Sequence, residues 1–421
     1  MVKTYDAYEV HMKAKKRKKK WVRFRHLLVR NLLSFFLGPY SRIKYGVKIE
    51  KFKPEKNKRY LILYNHQTAF DQFFVGLCFK GKIYYVASED IFSKGFVSKI
   101  IRFLVDPIPI KKQASDIRAV MDCMRVAKEG GTIAIAPEGN RTFSGRTEYI
   151  NPSIVLLARK LNLPIALLRI EGGFGVHPRW ADKVRRGRMR SYVSEVIEPE
   201  QYAMMSNDEL YSWIKDGLYV DENCPDGLYK SKNKAEYIER AIYVCPECGF
   251  STFESNGDVF KCKKCDLTVE YGEDKRLKPI KGDCRFEFIG DWYSYQNDYV
   301  NSVDTTQFTN DPIYEDEASF YEEIPYKNKK KLIDNARISL YGDKITVYGD
   351  DKEYIFPFSE VNFVTILGKN KVNVYHNKRI FQIKGGKGFN AVKYVNIFFR
   401  SNNILKGGEN SQDEQYKFLG L

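Results

Sequence analysis

Between residues 60 and 220, short apolar runs alternate with stretches whose apolar positions recur at helical spacing. YLILY (60–64), KIYYVAS (82–88), TIAIA (132–136), PIALLRI (164–170) and RMRSYVSEVI (188–197) predict strands, and DPIPIKK (106–112) predicts an extended segment. TAFDQFFVGLCFK (68–80), FVSKIIRFL (96–104), SIVLLARKLN (153–162) and SNDELYSWIKDGLY (206–219) predict helices. So does SDIRAVMDCMRVAKEGG (115–131), with Ser115 as cap, apolar Ile117, Val120, Met121 and Met124 on one face, and a stop at Gly130. Strands alternating with helices predict an α/β domain: a mostly parallel sheet covered on both faces, its active groups gathered where strands run into loops.

The pattern differs on either side of this block. Upstream, KKRKKKWVRFRHLLVRNLLSFFLG predicts an amphipathic helix in which Trp21, Phe24, Leu27, Leu28, Leu32, Phe35 and Phe36 follow helical spacing behind a basic run. Beyond residue 276 the chain reads as all-β, with KITVYG, YIFPFS, NFVTILG, KVNVYHN and RIFQIKG split by Gly, Asn and Asp turns. NDPIYEDEASFYEEIP reads as an acidic connector, and GFNAVKYVNIFFRSNN as a closing helix. The expected organisation is a basic amphipathic helical region at 1–45, an α/β domain at 46–240, a cysteine-bearing unit at 241–275 and a β-rich domain at 276–421.

A length of 421 residues with 43% hydrophobic content fits two or three domains with real cores. The net charge of +17 is uneven, because eleven Lys and Arg face only Asp6 and Glu9 up to residue 30. Such a block is a polyanion-binding surface, and beside an apolar helix it points to a membrane with anionic lipids. The longest uncharged apolar stretch falls well short of the ~18 residues that span a bilayer. No small-residue cleavage site follows the charged start, so the expected location is the cytoplasm, peripherally on the cytosolic face of a membrane. Eight cysteines, four in one tight pattern and four scattered (Cys78, Cys123, Cys224, Cys284), suit a reducing compartment better than a disulfide framework.

Two turns carry the candidate chemistry. In Asn65-His66-Gln67-Thr68-Ala69-Phe70-Asp71, a strand ends and a helix begins, and the turn can bring the Asp71 carboxylate to the imidazole of His66. A carboxylate on one ring nitrogen fixes the tautomer and leaves the other nitrogen free to take a proton. This is the logic of a serine hydrolase without its serine, so the hydroxyl to be activated belongs to the substrate. A metal role finds no second His or carboxylate at ligand spacing nearby. Ala136-Pro137-Glu138-Gly139-Asn140-Arg141-Thr142 also follows an apolar strand, and it offers a glycine turn, a carboxylate and a guanidinium suited to gripping phosphate.

Together these boxes resemble the glycerolipid acyltransferases, the 1-acylglycerol-3-phosphate acyltransferase family. Residues 65–71 resemble its NHxxxxD box, and PEGNRT at 137–142 resembles its PEGTRS signature, with Asn140 in place of Thr. Leu163-Pro164-Ile165-Ala166-Leu167 resembles the apolar strand that follows. The resemblance covers roughly residues 20–220. It implies that His66, oriented by Asp71, deprotonates the hydroxyl of a lysophospholipid acceptor, which attacks an acyl-CoA or acyl carrier protein thioester. It also implies a substrate-binding set of Asn65, Glu138, Gly139, Asn140, Arg141 and Thr142. Lys111 joins that set where the family shows an arginine, keeping the charge but losing the fork. The expected reaction is acylation of 1-acylglycerol 3-phosphate to phosphatidic acid. Downstream, Arg179, Lys183, Arg185, Arg186, Arg188 and Arg190 crowd together as a candidate phosphate or headgroup surface, while His177, without a flanking acid, reads as structural.

Cys245-Pro-Glu-Cys248 and Cys262-Lys-Lys-Cys265, thirteen residues apart, form a zinc-ribbon pattern whose four thiolates leave no open position, so the expected Zn2+ is structural. The β-region with its closing helix resembles, by element order alone, a pleckstrin-homology-like barrel. The rival reading is a non-catalytic zinc-ribbon protein binding nucleic acid or a membrane surface. Against nucleic acid, the charge lies beside the apolar helix rather than around the ribbon, and both polar boxes go unexplained.

Overall fold

The computed structural model describes residues 20–88, 91–92, 95–110, 117–324 and 329–405. Lys111, the cap at Ser115 and the basic residues from Lys3 to Lys19 lie outside the described residues. Strands β1 (Val47–Ile49), β2 (Leu61–Tyr64), β3 (Ile83–Ser88), β4 (Ile108–Ile110), β5 (Thr132–Ile135), β6 (Ile165–Glu171) and β7 (Met189–Ile197) form one sheet in the order β1-β7-β6-β2-β5-β3-β4. The pairs β6–β2, β2–β5, β5–β3 and β3–β4 are parallel, but β7 runs antiparallel to β6 and carries β1 with it. The sheet is therefore mixed. Alternation of apolar positions predicts that a strand exists, not its direction.

Successive residues of the central strands serve two cores, one on each face of the sheet. Leu61, Leu63, Ile133, Ile135, Ile165 and Leu167 pack with helices Ile117–Lys128, Ser153–Leu161 and Asn207–Leu218. Ile62, Tyr64, Ala134, Ala166 and Leu168 pack with Phe74, Val75 and Cys78 of helix Asp71–Cys78. Burial on both faces is why these strands are continuously apolar. Ser206 caps the last of these helices in a reciprocal capping box with Glu209. Because β2 and β5 are parallel neighbours, the loops leaving their C-terminal ends lie side by side.

Helix Phe24–Tyr45 precedes the sheet, but Trp21 is not part of its apolar stripe. Trp21 is buried ahead of the helix, its Nε1 donating to the Asp106 carbonyl at 2.8 Å. Its large ring anchors the helix start to the domain.

The cysteine-bearing unit comprises β8 (Val244–Cys245), β9 (Gly249–Phe250), β10 (Phe253–Asn256), β11 (Val259–Cys262), β12 (Thr268–Tyr271) and β13 (Leu277–Lys281). Helix Ile289–Ser302 follows, absent from the all-β expectation. Then β14 (Tyr314–Glu323), β15 (Lys330–Leu340), β16 (Lys344–Gly349), β17 (Lys352–Pro357), β18 (Val361–Leu367), β19 (Lys371–His376) and β20 (Arg379–Gly385) form an antiparallel sheet, ordered β17-β16-β15-β14-β20-β19-β18, before helix Val392–Leu405. The expected acidic connector is thus β14, a central strand: Tyr314, Ala318 and Phe320 point inward, and outward Glu315 and Glu322 pair with Arg337 and Arg379.

One buried cluster runs from Phe143, Phe174 and Trp180 of the α/β part, through the cysteine-bearing unit, to Phe398 of the last helix. Trp292 lies inside it among Phe253, Phe260 and Phe286, with Nε1 donating to the Val244 carbonyl at 2.7 Å. Trp292→Ala should destabilise the chain by about 3–5 kcal/mol, measured as a lowered midpoint in chemical denaturation; a loss well under 1 kcal/mol contradicts this packing.

Candidate active site

Asn65 closes the end of β2. Its side chain donates to the Ile170 carbonyl at 2.8 Å and accepts from the Ile170 amide at 2.7 Å, extending the β2–β6 ladder by one side-chain rung. His66 leaves the sheet next, at the C-terminal end of the strands. Five bonds hold the buried Asp71 in front of it. Its carboxylate accepts from Gln67 N (2.7 Å), Thr68 N (2.9 and 3.0 Å to its two oxygens), Thr68 Oγ1 (2.6 Å) and His66 Nδ1 (2.8 Å). A carboxylate can only accept, so Nδ1 carries the proton and Nε2 is left with the lone pair. Asp71 is fully buried, whereas the His66 side chain keeps 22% of its surface exposed. Burial lowers the His66 pKa below its usual value; the bond to Asp71 opposes this, and Arg141 and Arg179 reinforce it. The ring is therefore neutral at physiological pH and ready to accept a proton.

The second box meets the first through main-chain bonds. Glu138 is buried, and its two oxygens accept from His66 N at 2.7 Å and Glu148 N at 2.8 Å. Burial pushes its pKa well above the usual carboxylate value, against those two amide bonds. The Thr142 amide donates to the His66 carbonyl at 3.0 Å. Thr142 Oγ1 accepts from the Ser144 and Gly145 amides and donates to Glu148 Oε1 at 2.9 Å. Asn65, Glu138 and Thr142 thus hold the two loops in register. Gly139 adopts φ +69°, and a Cβ there would meet nothing within 4 Å, so its requirement is the left-handed turn rather than close approach. Asn140 is half-buried in the same turn.

Arg141 carries a polar group that this scaffold leaves unanswered. Its Nη1 is buried with no hydrogen-bond partner, and among the described residues no carboxylate lies within ion-pair distance of it. Burial lowers its pKa, partly opposed by Asp71. A desolvated guanidinium beside an oriented, neutral imidazole is equipped to hold an anionic group while a neighbouring hydroxyl is deprotonated.

The basic run from Arg179 to Arg190 does not form a single surface. Arg179 and Arg185 are buried, and Arg190 pairs with Glu50 at 2.8 Å. His177 packs its ring 6.1 Å from that of Tyr45, and both its nitrogens are buried without a partner. Burial, with Lys369 and Arg141 nearby, lowers its pKa to about 4. Sequence reasoning missed Gln67, whose Oε1 accepts from the Gly173 amide at 2.8 Å, and Glu148, the acceptor for Thr142 and Ser144. Thr68, three residues before a helix-starting Asp71, carried the one local signal, a hydroxyl at capping distance.

In the cysteine-bearing unit, the sulfurs of Cys245, Cys248, Cys262 and Cys265 lie within 4.8 Å of one another. Cys245 and Cys265 are 3.5 Å apart, and Cys248 and Cys262 are 3.6 Å apart. Four thiolates around zinc at about 2.3 Å stand close to 4 Å apart, so this donor set fits one tetrahedral ion. The Lys264 amide and Ser251 hydroxyl lie at 3.4 and 3.0 Å from the Cys262 sulfur, where each can donate to a thiolate and hold it in place.

Residues 46–171 match the Acyltransferase family, so the α/β part carries an acyltransferase domain. Among solved structures, the 1-acyl-sn-glycerophosphate (LPA) acyltransferase PlsC from Thermotoga maritima is similar at 17% identity and a TM-score of 0.38, over 51% of this chain and 85% of its own.

If the four cysteines hold a structural ion, the purified chain should contain about one equivalent of zinc by elemental analysis. Cys248→Ala should lose it and unfold at lower denaturant. A wild-type protein purified without chelator that carries no metal contradicts the assignment.

Proposed function

We propose that this chain transfers a fatty acyl group from an acyl-CoA or acyl carrier protein thioester to the free hydroxyl of a lysophospholipid. The acceptor that best fits is 1-acylglycerol 3-phosphate, giving phosphatidic acid in phospholipid biosynthesis. The observation that carries this reading is the Asp71–His66 pair at 2.8 Å on the loop bonded to the turn that bears Arg141. His66 Nε2 takes the hydroxyl proton as the oxygen attacks the thioester carbonyl. The C–S bond then breaks, and the leaving thiolate recovers the proton from the imidazolium, so the base is regenerated. Asp71 holds the proton on Nδ1 throughout and stabilises the transient charge. Arg141, with Lys111 assisting, takes the acceptor's phosphate and sets the hydroxyl against His66; such orientation can contribute more than the base itself.

An amphiphilic acceptor must be met at a membrane, and three helices offer a surface for it. Phe24, Leu28, Leu32, Phe35, Phe36 and Ile43 leave a bare stripe on helix Phe24–Tyr45, with Phe35 73% exposed. Phe96, Val97, Ile100 and Phe103 continue it on helix Phe96–Leu104, where the Arg25 guanidinium sits 4.2 Å from the Phe103 ring centroid. Ile117 and Met121 are likewise exposed on the following helix. Exposed Arg42, Lys44, Lys99 and Arg102 share these helices. Apolar groups flanked by cations suit an interface containing anionic lipids. Among the described residues no helix is long and apolar enough to cross a membrane. The reading therefore places the enzyme peripherally, on the cytosolic face. The cysteine-bearing unit acts as a structural zinc ribbon, and the seven-stranded domain with its closing helix has the element order of a pleckstrin-homology-like barrel.

The functional test is thiol release from acyl-CoA with 1-acylglycerol 3-phosphate. His66→Ala and Asp71→Asn should each lower kcat by about 10²–10⁴-fold; near wild-type turnover in His66→Ala contradicts the mechanism. A base must be neutral to act, and burial holds the His66 pKa low. Hence kcat/KM should stay level through neutral pH and fall only on the acid side of about 6.5. Leu32→Asp/Phe35→Asp should weaken co-sedimentation with anionic vesicles by more than ~10-fold, since each large apolar group contributes about 1.5–3 kcal/mol on burial; unchanged binding places the membrane contact elsewhere.

A further inference from the structure

Resting on the acyltransferase reading, we propose that Arg179 is a positioning residue for the acceptor's phosphate. The tip of the β18–β19 hairpin in the β-rich domain holds it there. The acceptor site is then assembled by two domains rather than one.

Arg179 is buried to 2% exposure, and its guanidinium lies 4.2 Å from the Phe143 ring centroid. Its Nη1 donates to the Arg141 carbonyl at 2.6 Å, and its Nε donates to the Gly368 carbonyl at 3.1 Å. Gly368 belongs to the turn between β18 and β19, so one planar fork joins a residue 189 positions away to the backbone of the phosphate-gripping arginine. Only a rigid guanidinium reaches both carbonyls at once. Gly368 takes φ +68°, the left-handed turn that aims its carbonyl at Arg179.

The hairpin tip is fastened independently. Lys369 Nζ donates to the Ala181 carbonyl and pairs with Asp182 at 3.1 Å. Asp182 also takes Arg240 Nη1 at 2.7 Å, and the same nitrogen donates to the Trp180 carbonyl at 2.6 Å. Segment 177–182 is thereby pressed between the PEGNRT turn and the β-rich domain. Its Trp180 is fully buried against Phe174 and Tyr271.

The electrostatics point to a missing anion. Arg179, like Arg141, has no carboxylate within ion-pair distance among the described residues, and it bonds only to neutral carbonyls. Burial and the neighbouring Arg141 push its pKa down to about 9. Two neighbouring guanidiniums, Arg179 buried and Arg141 with a buried Nη1, neither of them in an ion pair among the described residues, are costly unless a ligand brings a partner. A phosphate monoester dianion answers both, touching Arg141 and sensing Arg179 through it.

The test compares the full chain with Arg179→Ala, Arg179→Lys and Lys369→Ala. For a phosphorylated acceptor, KM should rise about 10–100-fold in Arg179→Ala, a sub-ångström to ångström misplacement of Arg141, while the KM for acyl-CoA stays unchanged. Lys369→Ala, which loosens the hairpin without touching Arg141, should raise the acceptor KM alone and by less. Arg179→Lys keeps the charge and loses one carbonyl bond, so it should fall between wild type and Arg179→Ala; it also decides the matter if the alanine variant does not fold. Equal rises in both KM values, or an acceptor KM unchanged in all three, overturn the proposal. A second readout needs no turnover: inorganic phosphate should raise the unfolding temperature of the wild type, lose that effect in Arg141→Ala and Arg179→Ala, and keep part of it in Arg179→Lys. Should the wild type consume no thioester with any acceptor, the acyltransferase reading fails, while phosphate stabilisation still decides whether Arg179 serves an anion site. Phosphate stabilisation that survives undiminished in the Arg179 variants refutes that role.

Discussion

The site depends on a single buried carboxylate. Asp71 has no access to water, and every bond it accepts comes from the loop that carries His66. A buried carboxylate is costly unless its lone pairs are filled. Here the amides of Gln67 and Thr68 and the Thr68 hydroxyl fill them whether or not the imidazole is present. The acid is therefore fixed first, and the histidine is placed by it. Glu138 repeats the device from the neighbouring strand, its two oxygens tying the His66 amide to that of Glu148. Two carboxylates, each locked by backbone donors, convert two flexible loops into one rigid mouth above β2 and β5.

How much of this could be read from the chain follows from what each pattern encodes. Strands buried on both faces are continuously apolar, so YLILY, TIAIA and PIALLRI were legible, and with them the ends at which His66 and Arg141 emerge. Two polar boxes after two such strands were legible as a pair because the parallel order places their loops together. Direction was not legible: the antiparallel run of β7 depends on how residues 172–188 turn back, which no periodicity records. The strand Tyr314–Glu323 hid behind its acids, since Glu315, Glu322 and Asp316 find Arg337, Arg379 and Lys393 only once distant segments pair. Helix Ile289–Ser302 hid among tyrosines, although Ile289, Trp292, Tyr293, Gln296 and Val300 fall on one buried face. The role of Glu138 as a tie between loops was equally invisible, because its partners are amides of His66 and Glu148 rather than side chains.

The C-terminal half is joined to the acyltransferase domain by packing and by charge. The cluster that starts at Phe143, next to Thr142, reaches through Trp180 and Tyr271 to the last helix. Along the same route, Arg179, Lys369 and Arg240 connect main-chain carbonyls on both sides. A fold that needed its β-rich half only for solubility would not bring a hairpin tip, through Arg179, to the backbone of Arg141, the arginine proposed to take the acceptor's phosphate. The four-cysteine unit lies in the middle of this path, so its proposed metal would stabilise the frame on which that hairpin is carried.

In the proposed reaction, Asp71 holds the proton on Nδ1 of His66 and leaves Nε2 as the base. Nitrogen-15 resonances of the His66 ring in the full-length protein test this most directly. At neutral pH, Nδ1 should be protonated, with a downfield hydrogen-bonded proton, and Nε2 unprotonated. The ring should titrate below the usual imidazole range, and the downfield signal should be lost in Asp71→Asn. A ring protonated on Nε2 instead, or a spectrum indifferent to Asp71→Asn, contradicts it.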